Sequence, residues 1–286
     1  GGTLTLATGD DGVHADNDLV IGTKGASSTS TPRINITASY EGLEGTTVTV
    51  YSGDIDVAAS DDGVNAASST LGERSDKYAI NIAGGDLYID AGSDGLDSNN
   101  DINITGGKVE VYGADAMMDA AIDYDGTFTL SGGTLFGAGM EPGAGTQAYI
   151  AVGETSPSGG HGGMGMTRPD KTDGGMQTPP DGADGQQNGT RPEKPSDDKN
   201  GWTGGKGQSA NRESALGIKK GSVITVQDAS GKTLYTATAL GSMSSVIFSS
   251  ADIKEGETYT VLVDGVSVGT ATAKLGTSSS DGGSFA

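Results

Sequence analysis

The sequence predicts an all-β chain wound as a parallel β-helix, a solenoid, and three observations carry that reading. Alternating strand phrases recur, helix signals are nearly absent, and one acidic phrase returns at the turns. Like residues at a fixed place in a repeat stack on one another.

The strand phrases form two sets. Gly-Gly-x-Φ-x-Φ, with Φ apolar, occurs as Gly1-Gly2-Thr3-Leu4-Thr5-Leu6, Gly84-Gly85-Asp86-Leu87-Tyr88-Ile89, Gly106-Gly107-Lys108-Val109-Glu110-Val111 and Gly132-Gly133-Thr134-Leu135. Gly53-Asp54-Ile55-Asp56-Val57 is a variant. Ile80-Asn81-Ile82, Ile102-Asn103-Ile104 and Phe128-Thr129-Leu130 run into the glycines, and Ile34-Asn35-Ile36 reads as an outlying copy. Period-two alternation argues strands with one buried face. Leu4, Ile55, Leu87, Val109 and Leu135 are expected inside; Thr5, Asp56, Tyr88, Glu110 and Phe136 are expected to stack outside. Gly84, Gly106 and Gly132 lie 22 and 26 residues apart, the length of one coil. Glycine at each corner reaches φ > 0 without steric cost.

This pattern places the β-helix over 1–152. Residues 153–213 are rich in Gly, Pro, Asp and Gln, cannot bury a core, and read as a disordered low-complexity loop or linker. Residues 214–286 read as an antiparallel β cap or small β domain. Ser222-Val223-Ile224-Thr225-Val226 returns through a turn to Thr233-Leu234-Tyr235-Thr236, and Asp264-Gly265 marks a tight hairpin.

Composition agrees with an elongated chain. Only 33% of the 286 residues are hydrophobic and 5% aromatic, which suits a thin core column. Net charge is −21, and it is local: residues 1–150 hold 23 acids and 5 bases, the remainder 15 and 12. Such a field disfavours nucleic acid and anionic membrane and favours divalent cations. Cysteine is absent, so disulfides reveal no compartment. No apolar run approaches the ~18 residues of a membrane span. The strand-like opening, with no signal peptide, reads as a trimmed mature chain.

The acidic phrase supplies the candidate metal ligands. It reads Gly9-Asp10-Asp11-Gly12-Val13-His14-Ala15-Asp16, Ser60-Asp61-Asp62-Gly63-Val64-Asn65-Ala66 and Ser93-Asp94-Gly95-Leu96-Asp97-Ser98, with a decayed copy at Ala114-Asp115-Ala116-Met117-Met118-Asp119. Asp11, Asp62, Asp94 and Asp115 take equivalent places. Asp16, Asn65, Asp97 and Asp119 stand behind them, and Asp18, Asp101 and Asp123 follow near the next strand. Calcium takes six to eight oxygen ligands, which paired carboxylates and amides on neighbouring coils provide. An Asp-Gly turn explains one aspartate, not the doublets Asp10-Asp11 and Asp61-Asp62. The spacing matches neither an EF-hand nor the nonapeptide calcium repeat. Outward Tyr88 and Tyr112, with Lys108 beside them, are candidate sugar contacts. Catalysis has little support: His14 and His161 lack sequence partners and no nucleophile signature occurs.

The phrases Gly9-Asp10-Asp11-Gly12-Val13-His14-Ala15-Asp16, Asp94-Gly95-Leu96-Asp97-Ser98-Asn99 and Ile102-Asn103-Ile104-Thr105-Gly106-Gly107-Lys108-Val109 resemble the bacterial, clostridial-type carbohydrate-binding cell-surface β-helix proteins. The ending Val246-Ile247-Phe248-Ser249-Ser250-Ala251-Asp252-Ile253-Lys254-Glu255-Gly256 is similar to that family's. The resemblance implies a right-handed parallel β-helix similar in fold to polysaccharide lyase family nine. It implies calcium between coils at Asp11, Asp62 and Asp94, secretion, and binding of cellulose or acidic, pectin-like glycan without robust catalysis. Two other readings remain open. An unpaired solenoid end is a template for a self-assembling, calcium-dependent filament or adhesin, and a weak polysaccharide lyase is the third.

Overall fold

A computed structural model describes residues 1–25, 31–67, 77–115, 119–155 and 216–277. The strands are β1 (Thr3–Ala7), β2 (Val13–Ile21), β3 (Arg33–Ala38), β4 (Leu43–Val50), β5 (Asp54–Ala59), β6 (Val64–Ala66), β7 (Ala79–Ala91), β8 (Leu96–Ser98) and β9 (Asp101–Tyr112). They continue with β10 (Ile122–Tyr124), β11 (Phe128–Gly137), β12 (Tyr149–Gly153), β13 (Val223–Gln227), β14 (Thr233–Thr238), β15 (Ser245–Ser249), β16 (Thr258–Val263) and β17 (Val266–Thr272). No helix among the described residues is long and apolar enough to cross a membrane.

The all-β class holds, but the right-handed parallel β-helix solenoid is overturned. The thirteen-stranded sheet is a mixed, curled half-barrel. Its strands through β11 pair in parallel, whereas β15 pairs antiparallel with both β11 and β12. A second sheet, in the order β14-β13-β16-β17, is antiparallel throughout. Repeated phrases reveal which strands pair in parallel. They do not reveal how the sheet ends, because β12 and β15 carry no copy of the repeat.

The parallel ladders nevertheless follow the phrases. Ile34, Ile55, Leu87, Val109 and Leu135 lie in register on β3, β5, β7, β9 and β11. All five are at most 8% exposed, and each such burial stabilises by about 1.5–3 kcal/mol. Leu4 continues this row on the edge strand β1 and stays 44% exposed. Ile34-Asn35-Ile36 thus belongs with the Gly-Gly-x-Φ set. The partner of Ile80-Asn81-Ile82 is Val48-Thr49-Val50, with threonine in place of the asparagine. At the corners Gly85, Gly107 and Gly133 hold φ of +90°, +82° and +85°, conformations a side chain rarely adopts.

The predicted hairpin turn at Asp264-Gly265 has both residues at positive φ, 50° and 80°, as a primed two-residue turn requires. The antiparallel sheet buries Ile224, Val226, Tyr259 and Val261 in a second core. That core reaches the large sheet through Phe136, Tyr235 and Phe248, with ring centroids 5.3 and 5.0 Å apart. The described strands of both sheets belong to one compact unit. Of the linker expected over 153–213, residues 156–213 lie outside the described residues, and Gly153 ends β12 instead.

Candidate functional site

Two rows of polar side chains run across β2, β4, β6, β8 and β10, and a four-residue phrase builds both. Its third residue points inward: Leu43, Val64, Leu96 and Ile122 are at most 1% exposed. Alternation then turns the residue after it outward. Strand register aligns His14, Glu44, Asn65, Asp97 and Asp123. The residue before Leu43, Val64 and Leu96 is glycine because neighbouring strands crowd it, whereas Ala121 stands before Ile122. A Cβ on Gly63 would lie 2.2 Å from Ile89, and one on Gly95 2.2 Å from Val111. Amides of Gly12, Gly42, Gly63 and Gly95 donate to the carbonyls of Glu41, Asp62, Asp94 and Ala120. The second row is therefore Asp11, Glu41, Asp62, Asp94 and Ala120.

At the β8–β10 end, oxygens of Asp94, Asp97 and Asp123 lie within 4.8 Å of one another. Asp94 is 8% exposed and accepts a hydrogen bond from the Ala120 amide. Asp62 Oδ1 accepts from the Asp94 amide at 3.0 Å. Burial, joined by the charges of Asp62, Asp123, Asp125 and Glu41, pushes Asp97 up to about 8. Burial likewise pushes Asp94 up to about 8, against the Ala120 amide, with Asp97 and Asp62 adding repulsion. Glu41 rises to about 7, chiefly through burial, and Asp62 is also raised. Two acceptors here have no partner: Asn65 Oδ1, in a side chain on a residue only 8% exposed, and Glu41 Oε2. The set offers oxygens and lacks positive charge, the donor chemistry of a hard divalent cation.

At the β2 end the row holds His14, which sequence reading left without partners. Its Nδ1 is hydrogen-bonded to Glu44 Oε2 and lies 3.5 Å from Asp11 Oδ2; its Nε2 is 3.2 Å from Asp16 Oδ1. Burial opposes charge on the ring, but the bonds to Glu44 and Asp16 outweigh it and the pKa is raised. Other predicted ligands stand apart from the rows. Asp18 accepts from Thr47 Oγ1, and Asp101 Oδ1 accepts from the Thr127 amide at 2.8 Å. The Asp10 carbonyl accepts from the Tyr40 amide, and the Asp61 side chain bonds Tyr40. Asp115 and Asp119 line a cavity with Glu154. The fourth copy was misplaced: Ala120-Ala121-Ile122-Asp123 is the true counterpart of Asp94-Gly95-Leu96-Asp97, so Asp115 is not equivalent to Asp94.

A family model described as carbohydrate-binding domain-containing protein matches residues 30–264. That span contains Glu41, Glu44 and the Asp94–Asp97–Asp123 cluster. The chain belongs to this family. No curated protein and no solved structure matches it.

Within this carbohydrate-binding-domain protein the expected aromatic platform is occupied. Tyr112 is 4% exposed, not open to a ligand. Its ring lies 5.8 Å from Tyr88 and 6.0 Å from Phe136, and its hydroxyl 2.8 Å from Glu110 Oε1. Lys108 Nζ is 3.7 Å from Glu110 and sits 5.7 Å over the Tyr235 ring. Tyr88 remains half-buried at the margin. Alternation correctly turns these residues away from the first core, but the second core covers them. Sequence reading also missed Glu41 and Glu44. Glu41-Gly42-Leu43-Glu44 repeats acid-Gly-Φ-acid with glutamate for aspartate, and that substitution hid it.

Proposed function

We propose that this member of the carbohydrate-binding family binds polysaccharide outside the cell through a calcium-loaded acidic row, without cleaving it. The observation that carries the calcium is the Asp94–Asp97–Asp123 cluster, with the unpartnered Asn65 Oδ1 in register beside Asp97. Asp62 and Glu41 complete an all-oxygen donor set. An anionic glycan would then be held by calcium shared between its carboxylates and the row, which suits a face too acidic to bind a polyanion directly. Family membership supports the carbohydrate; the oxygen donors support the ion.

The test is affinity electrophoresis of the full chain in gels containing polygalacturonate or a soluble cellulose derivative, with calcium and then with chelator. Retardation by polygalacturonate that vanishes in chelator and in Asp97→Asn is expected. Retardation indifferent to calcium would sink the calcium-bridged model. Failure in both gels would remove these glycans as ligands. Absorbance from an unsaturated product would instead make the protein a lyase.

A second reading, edge-to-edge assembly of copies, rests on β1 and β2. Each pairs with one strand among the described residues, and Leu4 and Val20 are 44% and 55% exposed. Sizing and micrographs at varied calcium separate isolated molecules from filaments.

A further inference from the structure

The His14 end of the row differs chemically from the calcium cluster. A neutral imidazole carries one N–H, leaving the other nitrogen as an acceptor. Here both nitrogens face carboxylates: Nδ1 faces Glu44 and Asp11, and Nε2 faces Asp16. One lone pair is therefore aimed at negative charge unless a second proton or a metal ion occupies it. The Asp11 side chain is only 7% exposed and meets the Glu44 carboxylate in hydrogen-bond contact, an arrangement two anions do not hold unaided. One ligand atom from each of Asp11, His14 and Glu44 falls within 4.8 Å of the others.

We infer that Asp11, His14 and Glu44 form a second metal site, selective for a borderline transition ion of the zinc class, with Asp16 orienting the ring. An ion on Nδ1 turns the repulsive contact into three ligand bonds. Nε2–H then donates to Asp16, the carboxylate–histidine–metal relay that fixes tautomer and ring plane. Imidazole with carboxylates suits zinc, copper or nickel, whereas calcium takes oxygen donors. Three protein ligands leave one position of a tetrahedral ion for water. The family match begins at residue 30, after Asp11 and His14. Zinc at His14 requires neither the glycan nor the calcium cluster to behave as proposed.

The test uses the full chain carrying His161→Ala, so that ring signals arise from His14 alone. Zinc is titrated in excess calcium at pH 7.5 while ring ¹⁵N shifts are followed by NMR and affinity by calorimetry. One zinc is expected to bind, moving Nδ1 to a metal-bound shift and leaving Nε2 protonated. His14→Ala should weaken zinc by more than about tenfold, and Asp16→Asn by about tenfold. The Asp16 side chain is 94% exposed, so its replacement does not threaten folding. Both variants should keep their calcium response. Ring shifts unchanged by zinc, or equal zinc affinity after His14→Ala, would overturn the site. A ring protonated on both nitrogens in the presence of zinc would overturn it too, marking His14 as a built-in cation.

Discussion

Two rows of side chains, one on β4, β7, β9 and β11 and the other on β4, β6, β8 and β10, cross the same large sheet and solve their electrostatics differently. In one, Thr49, Asn81, Asn103 and Thr129 lie in register. Asn103 Nδ2 donates to Asn81 Oδ1 at 3.1 Å, and Asn81 Nδ2 to Thr49 Oγ1 at 3.4 Å. An amide carries both donor and acceptor, so a stack of amides satisfies itself. In the other, Asp97 and Asp123 stand beside Asn65 and Glu44. Ionised carboxylates only accept, so the same stacking leaves this row short of protons or cations. The backbone repeat is common to both; the difference lies in what each side chain can give its neighbour.

The largest effect should follow from withholding the cation. Calcium at a thousandfold over its Kd contributes about 4 kcal/mol, roughly 10 °C in Tm for a chain of this size. The loss should depend on pH with a defined sign. Asp94 and Asp97, pushed up to about 8 in the folded chain, hold protons that the unfolded chain releases near pH 4. In chelator, stability is therefore full below about pH 4 and is lost as pH rises through about 8. Calcium should stabilise most at pH 8 and hardly at pH 5. Thermal unfolding at pH 5, 6.5 and 8, with calcium or chelator, measures this. A flat profile in chelator would make the acidic row electrostatically ordinary.

A smaller effect with a change of sign should come from Asp97→Asn. It removes one of the crowded carboxylates and supplies an amide donor beside Asn65. In chelator at pH 8 the variant should be more stable than the parent by about 1–2 kcal/mol, because like charges repel less. In saturating calcium it should be less stable, having lost a ligand. Denaturant melts in both conditions give the crossing. Destabilisation in both would mark Asp97 as a packing residue.

Period-two alternation found the inward rows because one buried face leaves a direct trace in the chain. Asp94 and Asp97 were legible because Asp-Gly-Φ recurs, whereas Asp123 was read only as an acid near the next strand, its own phrase Ala120-Ala121-Ile122-Asp123 lacking the Asp-Gly. Three things were not legible. The end of the large sheet was hidden because β15 joins β11 and β12 from far along the chain without a repeat phrase. The burial of Tyr112 was hidden because the second core covers the outward face. The Glu44 partner of His14 was hidden because it stands 30 residues away and only register brings the two together.

The smallest effect should come from writing one acid into the neutral row, with Asn103→Asp. The new carboxylate cannot donate to Asn81 Oδ1, so the 3.1 Å bond is lost unless the Asn81 amide turns over. If it turns, its NH₂ group serves the new acid and the Thr49 hydroxyl rotates to donate to Asn81 Oδ1, so the bonds survive but a charge enters a half-buried row. Lost bond or half-buried charge, the cost is about 1 kcal/mol. Calcium should not restore it, since a lone carboxylate lacks the further oxygens an ion requires. Melts of the variant with calcium and with chelator should differ from the parent by the same amount. A calcium-dependent rescue would mean that any stacked acid on these strands recruits the ion, and that the particular grouping of Asp94, Asp97 and Asp123 confers nothing special.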